Sequence, residues 1–361
     1  MESLKEMFNQ VFYKTLANEF SKADNNFNSN KFLDEVTKNI EALSLNQRMR
    51  RTSEVLKSTL PSDYKKAILI MQKVILNTKT GYTNLVFPDY VGLYGHDHFE
   101  VSMEALKYFT KLGSSEFAIR EYLKRDFNKT IKVMQIWAED KSHHVRRLAS
   151  EGSRPRLPWS FKLDEVIKNP KSTQIILENL KADNDLYVRK SVANHLNDIS
   201  KENTQYMLNL VNGWDKENMN TAWIIKHASR SLIKMGHPGS LSVFGFEKNI
   251  KVTIRKFKLN KTKVNLGESL KFSFEIESQK ASTQKLVIDY IIHYKKKAGE
   301  LFPKVFKLKE VNLKSNEKNH ISKSQLFKDF TTRIHYTGQH LLEIQVNGKV
   351  LARKKFTILI G

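Results

Sequence analysis

Apolar residues in the first two thirds of the chain recur every three to four positions, which places them on one face of a helix. Two such runs are Phe32, Val36, Ile40 and Leu43, and Ala67, Ile70, Met71, Val74 and Ile75. This spacing predicts an all-α body of short helices over residues 1–240. About forty residues is enough for one helix pair, so several pairs fit into this length.

Proline, glycine and capping residues mark where these helices are expected to begin and end. Asp63 lies just after Pro61 and is expected to open a helix, whereas Pro88 is expected to break one. Gly152 and Gly236 stand where two other helices are expected to stop. Few residues separate each stop signal from the next start signal, which predicts short turns between the helices.

From residue 247 onward the apolar pattern changes to a period of two, which is typical of strands. Phe272–Ile276 and Leu341–Val346 alternate, and Val305–Leu308 does so less regularly. Asn347 and Gly348 separate two such runs, and both favour the positive φ that a two-residue hairpin turn requires. About seven short strands in about 110 residues predict a small all-β, immunoglobulin-like sandwich over residues 247–361. The stretch 236–240 has the composition of a linker between the two domains.

Composition restricts the chemistry. The chain has no cysteine, which excludes disulfides, thiolate zinc sites and a cysteine nucleophile. No apolar run is long enough to span a membrane, and the first residues lack the apolar segment of a secretory signal. We therefore expect a cytoplasmic protein that is a monomer without metal or organic cofactor.

Basic residues are in large excess, with 61 Lys and Arg against 38 Asp and Glu, a net charge of +23. Residues 247–361 alone hold 25 basic and 10 acidic residues, a net charge of +15. Such an excess favours a polyanionic partner, either nucleic acid or an anionic membrane surface. A merely solubilising lysine-rich surface is the alternative.

A weak internal repeat runs through the helical part. The segment that starts at Val145 resembles one that starts at Val188, and Ile224–Leu232 resembles the latter again. Repeats of about 36–45 residues built from helix pairs indicate a HEAT-like solenoid. A cationic pair follows the apolar anchor in each unit: Arg146 and Arg147, Arg189 and Lys190, Lys226 and His227. Stacked units would align them into a concave cationic stripe that fits a duplex backbone. Solvated helix faces are the alternative for any single pair.

Residues 143–160 form the strongest candidate site. Arg146, Arg147, Arg154 and Arg156 fall within eleven residues, in a chain that otherwise prefers lysine. Guanidinium groups can grip a phosphate with two hydrogen bonds. Glu151 lies among them near the end of a predicted helix, where the helix dipole opposes a negative charge. Trp159 follows Pro158 in a stiff segment that could present an aromatic face to a ligand.

The segment Arg146–Trp159 closely resembles the signature of the AlkC branch of HEAT-like DNA alkylation-repair glycosylases. Ser115–Leu123 and Trp137–Asp140 extend the resemblance, and many AlkC-type proteins carry a C-terminal immunoglobulin-like domain. Glu121 departs from the family pattern, which is expected to have proline there. The resemblance implies a HEAT-like body and hydrolysis of the N-glycosidic bond of small cationic lesions, such as 3-methyladenine and 3-methylcytosine, in damaged double-stranded DNA. A cytoplasmic protein with this partner is expected to associate with the nucleoid when bound to DNA.

The resemblance also implies roles for individual residues. Glu151 would stabilise positive charge on the sugar and activate water, with Glu116 assisting, and Trp159 would lie against the deoxyribose and the cationic base. Arg147 and Arg154 would hold the flanking phosphates, with Arg156 close by. The same family reaches its lesions without a tight base pocket. The sequence accordingly shows no evident aromatic cage or Asn/Gln cluster beside Trp159.

Simpler interpretations exist for each residue. Glu151 could pair with Arg147 on a helix surface, Trp159 could fill a core, and Glu116 is an ordinary first-turn residue. His96 and His98 are spaced like metal ligands, but no partner cluster accompanies them. A strand-cleaving step is not expected, since no activated lysine stands out. The alternative functions are a non-catalytic HEAT-repeat DNA-binding or scaffold protein and a protein-binding adaptor.

Overall fold

The computed structural model describes residues 4–247, 249–330 and 333–360, so the first three residues of the predicted N-terminal helix region lie outside it. Within these ranges, sixteen α-helices precede eight strands. The helices are α1 (Gln10–Ala23), α2 (Ser29–Thr37), α3 (Leu45–Thr59), α4 (Tyr64–Ile75), α5 (Val86–Tyr94), α6 (Phe99–Phe109), α7 (Glu116–Arg125), α8 (Phe127–Trp137), α9 (His143–Gly152), α10 (Asp164–Lys168), α11 (Gln174–Leu180), α12 (Leu186–Ile199), α13 (Thr204–Asn212), α14 (Met219–Ala228), α15 (Arg230–Lys234) and α16 (Pro238–Val243).

Most of the predicted helix boundaries are confirmed. Asp63 caps α4, its carboxylate accepting a hydrogen bond from the backbone N–H of Lys66, and α9 ends at Gly152. Gly236 follows α15 with a positive φ. The prediction for Pro88 is wrong, because Pro88 lies inside the first turn of α5. Its missing N–H costs nothing there, since the first-turn N–H groups have no partner within the helix.

The helix predicted from Phe32 to Leu43 is shorter than expected. The α2 helix ends at Thr37, and Asn39 adopts a left-handed conformation with φ of 52° before a short 3₁₀ turn at Ile40–Ala42. A left-handed residue cannot continue a right-handed helix. Phe32 and Val36 are buried, so the apolar spacing correctly identified the inner face of the helix. It could not show where the helix ends.

The internal repeat corresponds to stacked helices. The first two similar segments lie in α9 and α12, and the third begins in α14 and continues into α15; α12 packs against both α9 and α14. Their apolar anchors Val145, Val188 and Ile224 are fully buried. Each helix therefore contributes its anchor to one continuous core, as in other repeat architectures. Among the described residues, no helix is both long and apolar enough to cross a membrane.

The C-terminal part forms two sheets. The strands are β1 (Val252–Leu259), β2 (Lys263–Asn265), β3 (Ser269–Ser278), β4 (Gln284–Lys295), β5 (Leu301–Leu313), β6 (Lys318–Leu326), β7 (Gly338–Val346) and β8 (Lys349–Leu359). One sheet has the order β1-β3-β6 and the other β2-β8-β7-β4-β5. All pairings are antiparallel except that of β2 with β8. Side chains of both sheets share one apolar core, among them Phe274, Ile276, Ile292 and Ile344, as expected for a sandwich.

The predicted hairpin is confirmed. Asn347 and Gly348 link β7 to β8 with φ of 44° and 81°, so both turn residues are left-handed. Gly348 also approaches Gly236 so closely that a Cβ added to Gly236 would lie 2.3 Å from the Cα of Gly348. Only two glycines tolerate this contact.

Two compact units divide between Ala228 and Ser229. The helices α15 and α16 therefore belong with the sandwich, where Leu241 and Phe246 pack against Val287. The domain ranges 1–240 and 247–361 remain predictions. By packing alone, the segment after Ala228 groups with the strands.

Candidate active site

Helices α7, α9 and α12 and the loop after α9 line a cleft of about 610 Å³ in the helical unit. We call it the Glu151 cleft. It brings together residues that are far apart in the sequence: Ser114, Glu116, Phe117, His144, Arg147, Glu151, Trp159 and Tyr187. All three predicted catalytic residues, Glu116, Glu151 and Trp159, line this one cleft.

Glu151 lies in the last turn of α9 and is 6% exposed. Its Oε1 accepts a hydrogen bond of 2.6 Å from Arg154 Nη1 and lies 3.5 Å from Arg147 Nη2. Burial by itself raises the pKa of Glu151, but the two guanidinium groups outweigh it and hold the pKa below its usual value. They also compensate for the unfavourable helix dipole. Glu151 is thus a buried, ionised carboxylate, which the surface-pair interpretation did not foresee.

Arg147 connects the two carboxylates of the cleft. Its Nη1 donates to Glu116 Oε2 and, at 3.0 Å, to the hydroxyl of Ser114, while Nη2 faces Glu151. Ser114 in turn donates to Glu116 across 2.7 Å. The guanidinium of Arg147 also stacks on the ring of Tyr187, 4.8 Å from its centroid. The sequence predicted Arg147 as a phosphate ligand, whereas in the structure it holds both carboxylates in place.

Arg154 occupies a buried position as well. It is 7% exposed, and besides Glu151 it contacts Asp198, with Nε and Nη2 at 2.9 and 2.7 Å from the carboxylate. Its guanidinium is enclosed by these two carboxylates, and the phosphate contact expected for Arg154 stays a prediction. The contact with Asp198 was not foreseen, because Asp198 lies forty-four residues away in the sequence.

The loop after α9 presents Trp159 to solvent. Trp159 is 76% exposed and has φ of 64°, a left-handed conformation that is uncommon for a bulky residue. Such strain persists only where the surroundings impose it, and it is concentrated at functional sites. The core-filling alternative for Trp159 is therefore wrong.

Arg120 holds this loop from beneath. It is fully buried on α7, and its Nη1 donates to the carbonyl oxygens of Gly152 at 3.0 Å and Arg154 at 2.6 Å. Nε donates to the Ser160 hydroxyl at 3.0 Å, and Nη2 donates to the carbonyl of Phe161. Burial lowers the pKa of Arg120 to about 10, so it remains charged near neutrality. Arg120 therefore fixes both ends of the segment that carries Trp159.

A buried, neutral histidine, His195, contacts the end of α9 next to Glu151. His195 on α12 is fully buried, with Nδ1 at 3.0 Å from the carbonyl of Ser150 and Nε2 at 3.3 Å from the Thr173 hydroxyl. Burial lowers its pKa to about 3, and the neighbouring Arg154 contributes in the same direction. His195 therefore adds no charge and braces the end of α9.

Arg146 and Arg189 occupy equivalent places in successive repeats. Arg146 Nη1 donates to the carbonyls of Asp140 and Lys141, and Arg189 Nη1 donates to those of Asp183 and Asn184. Arg146 also forms a two-bond ion pair with the Asp183 carboxylate, at 2.6 and 3.1 Å. These bonds tie each helix to the loop before it and one repeat to the next.

The remaining cationic residues are more accessible. Lys190 on α12 and Lys226 on α14 are exposed, and Arg156 is partly exposed and forms an ion pair with Glu202. Contacts of these residues with DNA remain predictions. The ring of His98 stacks on Tyr64, and the ring of His96 packs against Tyr122 at a tilted angle. Among the described residues, no cluster of His, Cys, Asp and Glu is arranged to hold a metal ion.

Three important residues of the site escaped sequence reasoning: Arg120, Tyr187 and Asp198. Arg120 did give a signal, because it stands among the buried positions Ile119, Tyr122 and Leu123 of α7. An arginine on the apolar face of a helix must find partners inside the protein. Tyr187 and Asp198 are brought to the site only by the packing of α12 against α9.

Known proteins are similar to this chain over nearly its whole length. The uncharacterised protein YhaZ of Bacillus subtilis (strain 168) is 41% identical over 97% of this chain and 98% of its own length. The structure of the Pseudomonas fluorescens alkylpurine DNA glycosylase AlkC bound to DNA containing an abasic site analog is 45% identical. It covers 99% of this chain and 100% of that one, with a TM-score of 0.96. Residues 253–360 match the family model of the YhaZ C-terminal Ig-like domain, which confirms the predicted sandwich type.

Proposed function

This chain belongs to the AlkC family of DNA glycosylases, and we propose that it excises small cationic N-alkylated bases from duplex DNA by hydrolysing the N-glycosidic bond. The close similarity to an alkylpurine DNA glycosylase along the whole chain supports this reaction. The lesion class, with 3-methyladenine and 3-methylcytosine as members, comes from the resemblance of residues 146–159 to the family signature. Excision of this kind is the first step of base excision repair.

One observation carries the proposal most directly: Arg147 bridges Glu116 and Glu151 beside the exposed Trp159. Two carboxylates and an indole face in one cleft favour a ligand that carries or develops positive charge. An alkylated base is already a cation, so it leaves without protonation. The enzyme then has to stabilise the sugar cation that remains and to direct a water molecule to it.

The chemical step follows from these groups. The bond from C1′ to the base nitrogen breaks, and its electron pair leaves with the base and neutralises it. Glu151 stabilises the positive charge that develops on C1′ and the ring oxygen, and it accepts a proton from the attacking water. The water oxygen bonds to C1′ and completes an abasic site. Glu116 supplies a second carboxylate, while Arg147 helps to keep Glu151 ionised and orients both side chains.

The arginines that the sequence assigned to phosphates divide into two groups. We propose that Arg147 and Arg154 position the carboxylates, because both guanidiniums are occupied inside the protein. Arg156, Lys190 and Lys226 are the better candidates for contacts with DNA phosphates, since their side chains reach solvent. Neutralising phosphates would make binding depend strongly on salt concentration.

The alternative is a DNA-binding scaffold without catalysis, and a base-release assay separates the two. Duplexes with a single 3-methylcytosine or a 3-methyladenine analogue are incubated with excess protein, and free base is quantified by chromatography. We expect release from the alkylated duplexes and none from the matched undamaged duplex. Tight, salt-sensitive binding without release from any lesion would favour the scaffold.

A further inference from the structure

A cavity of about 660 Å³ opens beside the turn that joins β4 to β5 in the C-terminal unit. It is lined by residues between 294 and 304 and by residues between 333 and 336, which precede β7. We call it the Phe302 pocket. Its volume is within the range of about 300–1,000 Å³ that ligand sites occupy. None of the residues assigned to the proposed reaction lines it, so its role lies outside the chemistry described above.

The register of β5 directs Phe302 toward the core of the sandwich, but the core does not cover it. Phe302 lies opposite Tyr294 of β4, a residue of the apolar core. Further along β5, Phe306 lies opposite Tyr290, which is also a core residue. Residues paired across two strands point to the same face of the sheet. Phe306 stacks on Tyr290 with ring centroids 5.0 Å apart, whereas Phe302 is 58% exposed. The sandwich is therefore open at Phe302.

Two more large apolar side chains are exposed in this region. Ile334, in the segment before β7, lines the same pocket and is 63% exposed. Leu301, the neighbour of Phe302, is 44% exposed. Covering apolar surface is favourable by about 25 cal/mol per Å². Exposed apolar residues that lie together in this way mark interaction sites.

Positive charge accompanies this apolar surface. Five cations and one carboxylate line the pocket: Lys295, Lys296, Lys297, Lys304 and Arg333 against Glu300. Within the part of the chain that the structure describes, none of the five cations forms an ion pair. Two of them lie over aromatic rings instead, Lys296 at 5.0 Å from the ring centroid of Phe302 and Arg333 at 5.2 Å from that of Tyr294.

The cations of the pocket act on one another. Burial lowers the pKa of Lys304, and the nearby charges of Arg333 and Lys234 act in the same direction. A carboxylate beside Lys304 would raise its pKa instead. The pocket therefore holds positive charge that a bound anion can compensate.

The backbone of β5 is also available to a partner. β5 pairs with β4 alone and is the edge strand of the larger sheet. One side of an edge strand presents N–H and C=O groups that no neighbouring strand uses. An extended peptide can pair with such an edge and place alternate side chains in adjacent pockets.

These features together restrict the class of ligand. The cations require an anion, Phe302 and Ile334 require an apolar group, and the strand edge accommodates an extended backbone. A phosphodiester backbone brings anions but no apolar side chain. An extended peptide that carries both carboxylates and an apolar side chain meets all three conditions.

We propose that the Phe302 pocket is a docking site for an acidic segment of a partner protein. An apolar side chain of that segment covers Phe302 and Ile334, and its carboxylates pair with the lysines and Arg333 around them. This inference does not depend on the proposed base excision. It adds a protein partner to a chain whose excess of positive charge is otherwise explained by DNA.

Fluorescence anisotropy of a labelled peptide, Gly-Asp-Asp-Leu-Asp-Phe-Asp-Asp, titrated with the full-length protein tests the proposal. One matched peptide replaces leucine and phenylalanine by serine and keeps the charge. Another replaces every aspartate by asparagine and keeps the apolar side chains. We expect each matched peptide to bind at least about tenfold more weakly, which corresponds to about 1.4 kcal/mol. Added salt should weaken binding of the acidic peptide.

Variants of the pocket locate the binding. We expect Phe302→Ser and Lys304→Gln each to weaken binding of the acidic peptide several-fold, on the order of tenfold for the aromatic anchor. Val350→Ser and Lys323→Gln are the matched controls, because both side chains are exposed on other strands of the sandwich and neither lines the pocket. Both controls should bind as the wild type does. Thermal unfolding verifies that all four variants fold.

Three results would overturn the proposal. The first is equal affinity for the acidic peptide and either matched peptide, since charge or apolar contact would then play no part. The second is an equal loss of affinity in the pocket variants and their controls. The third is unchanged peptide binding by Phe302→Ser and Lys304→Gln together with weaker binding of oligothymidylate or an undamaged duplex, which would assign the pocket to nucleic acid.

Discussion

Arg154 donates a 2.6 Å hydrogen bond to the carboxylate of Glu151, and both side chains are buried. This contact explains how a carboxylate remains ionised at a buried helix C-terminus. Arg147 supplies the second positive charge, and Asp198 holds Arg154 from the other side. The site therefore depends on a short chain of alternating charges, of which only Glu151 is expected to touch the reacting sugar.

Replacing Arg154 by methionine should raise the pKa of Glu151, because one of the two cations that lower it is lost. Activity requires the ionised carboxylate, so the acidic limb of the pH–rate profile should move to higher pH. The single-turnover rate between about pH 4 and pH 8 measures this. Arg125→Met is the control, since Arg125 pairs with Asp97 at the surface and not with Glu151. An acidic limb that stays in place would contradict the positioning role.

Arg120→Met should lower the free energy of unfolding by about 3 kcal/mol or more, because several buried carbonyl groups lose their donor. In the fraction of Arg120→Met that still folds, we expect kcat to fall more than the affinity for DNA, because the loop that carries Trp159 is no longer fixed. Arg125→Met on the same helix is the control, because Arg125 pairs with Asp97 at the surface. Equal losses of stability and of kcat in Arg120→Met and Arg125→Met would contradict the role of Arg120 in holding the loop.

Lys190→Gln should weaken DNA binding to a similar degree for damaged and undamaged duplexes, because a phosphate contact carries no information about the lesion. The slope of the logarithm of the binding constant against that of the salt concentration should decrease by about one. Fluorescence anisotropy at several salt concentrations measures the slope. An unchanged slope would exclude Lys190 from the DNA-binding surface.

Asp289 on β4 should make the stability of the sandwich depend on pH. Burial raises its pKa to about 6, so the folded state holds the proton more tightly than the unfolded state. The contribution of Asp289 to the free energy of unfolding should therefore be greatest below about pH 4. It should be lost as the pH rises through about 6. Asp289→Asn should remove this dependence and raise stability near pH 7.5 by on the order of 1–2 kcal/mol. Thermal unfolding of the wild type and of Asp289→Asn at about pH 4 and pH 7.5 measures this. A difference in stability between the two proteins that is the same at both pH values would contradict the prediction.

Local patterns were sufficient for most of the fold. The capped start of α4, the end of α9 at Gly152 and the hairpin at Asn347 and Gly348 each depend on neighbouring residues, and each was predicted correctly. Pro88 was misjudged because its effect depends on where the helix begins, which apolar spacing does not define. The same limitation affected the segment from Phe32 to Leu43.

The site was predictable only where its residues lie close together in the sequence. Glu151 and Trp159 stand within one segment, and the family resemblance added Glu116. Arg120 and Asp198 reach the site from more than thirty residues away through the packing of α7 and α12 against α9. The burial of Arg154 follows from these contacts, so the cluster of arginines in the sequence could not show that Arg154 pairs with two carboxylates.

Single-turnover base release from one 3-methylcytosine duplex by the wild type and by Glu151→Gln tests the central claim most directly. The amide keeps the size of the side chain and removes its charge, so DNA affinity should be nearly unchanged. We predict release by the wild type and a rate at least about a hundredfold lower for the variant, the usual effect of losing a general base. Equal rates of release by the two proteins would contradict the assignment of Glu151 as the catalytic carboxylate.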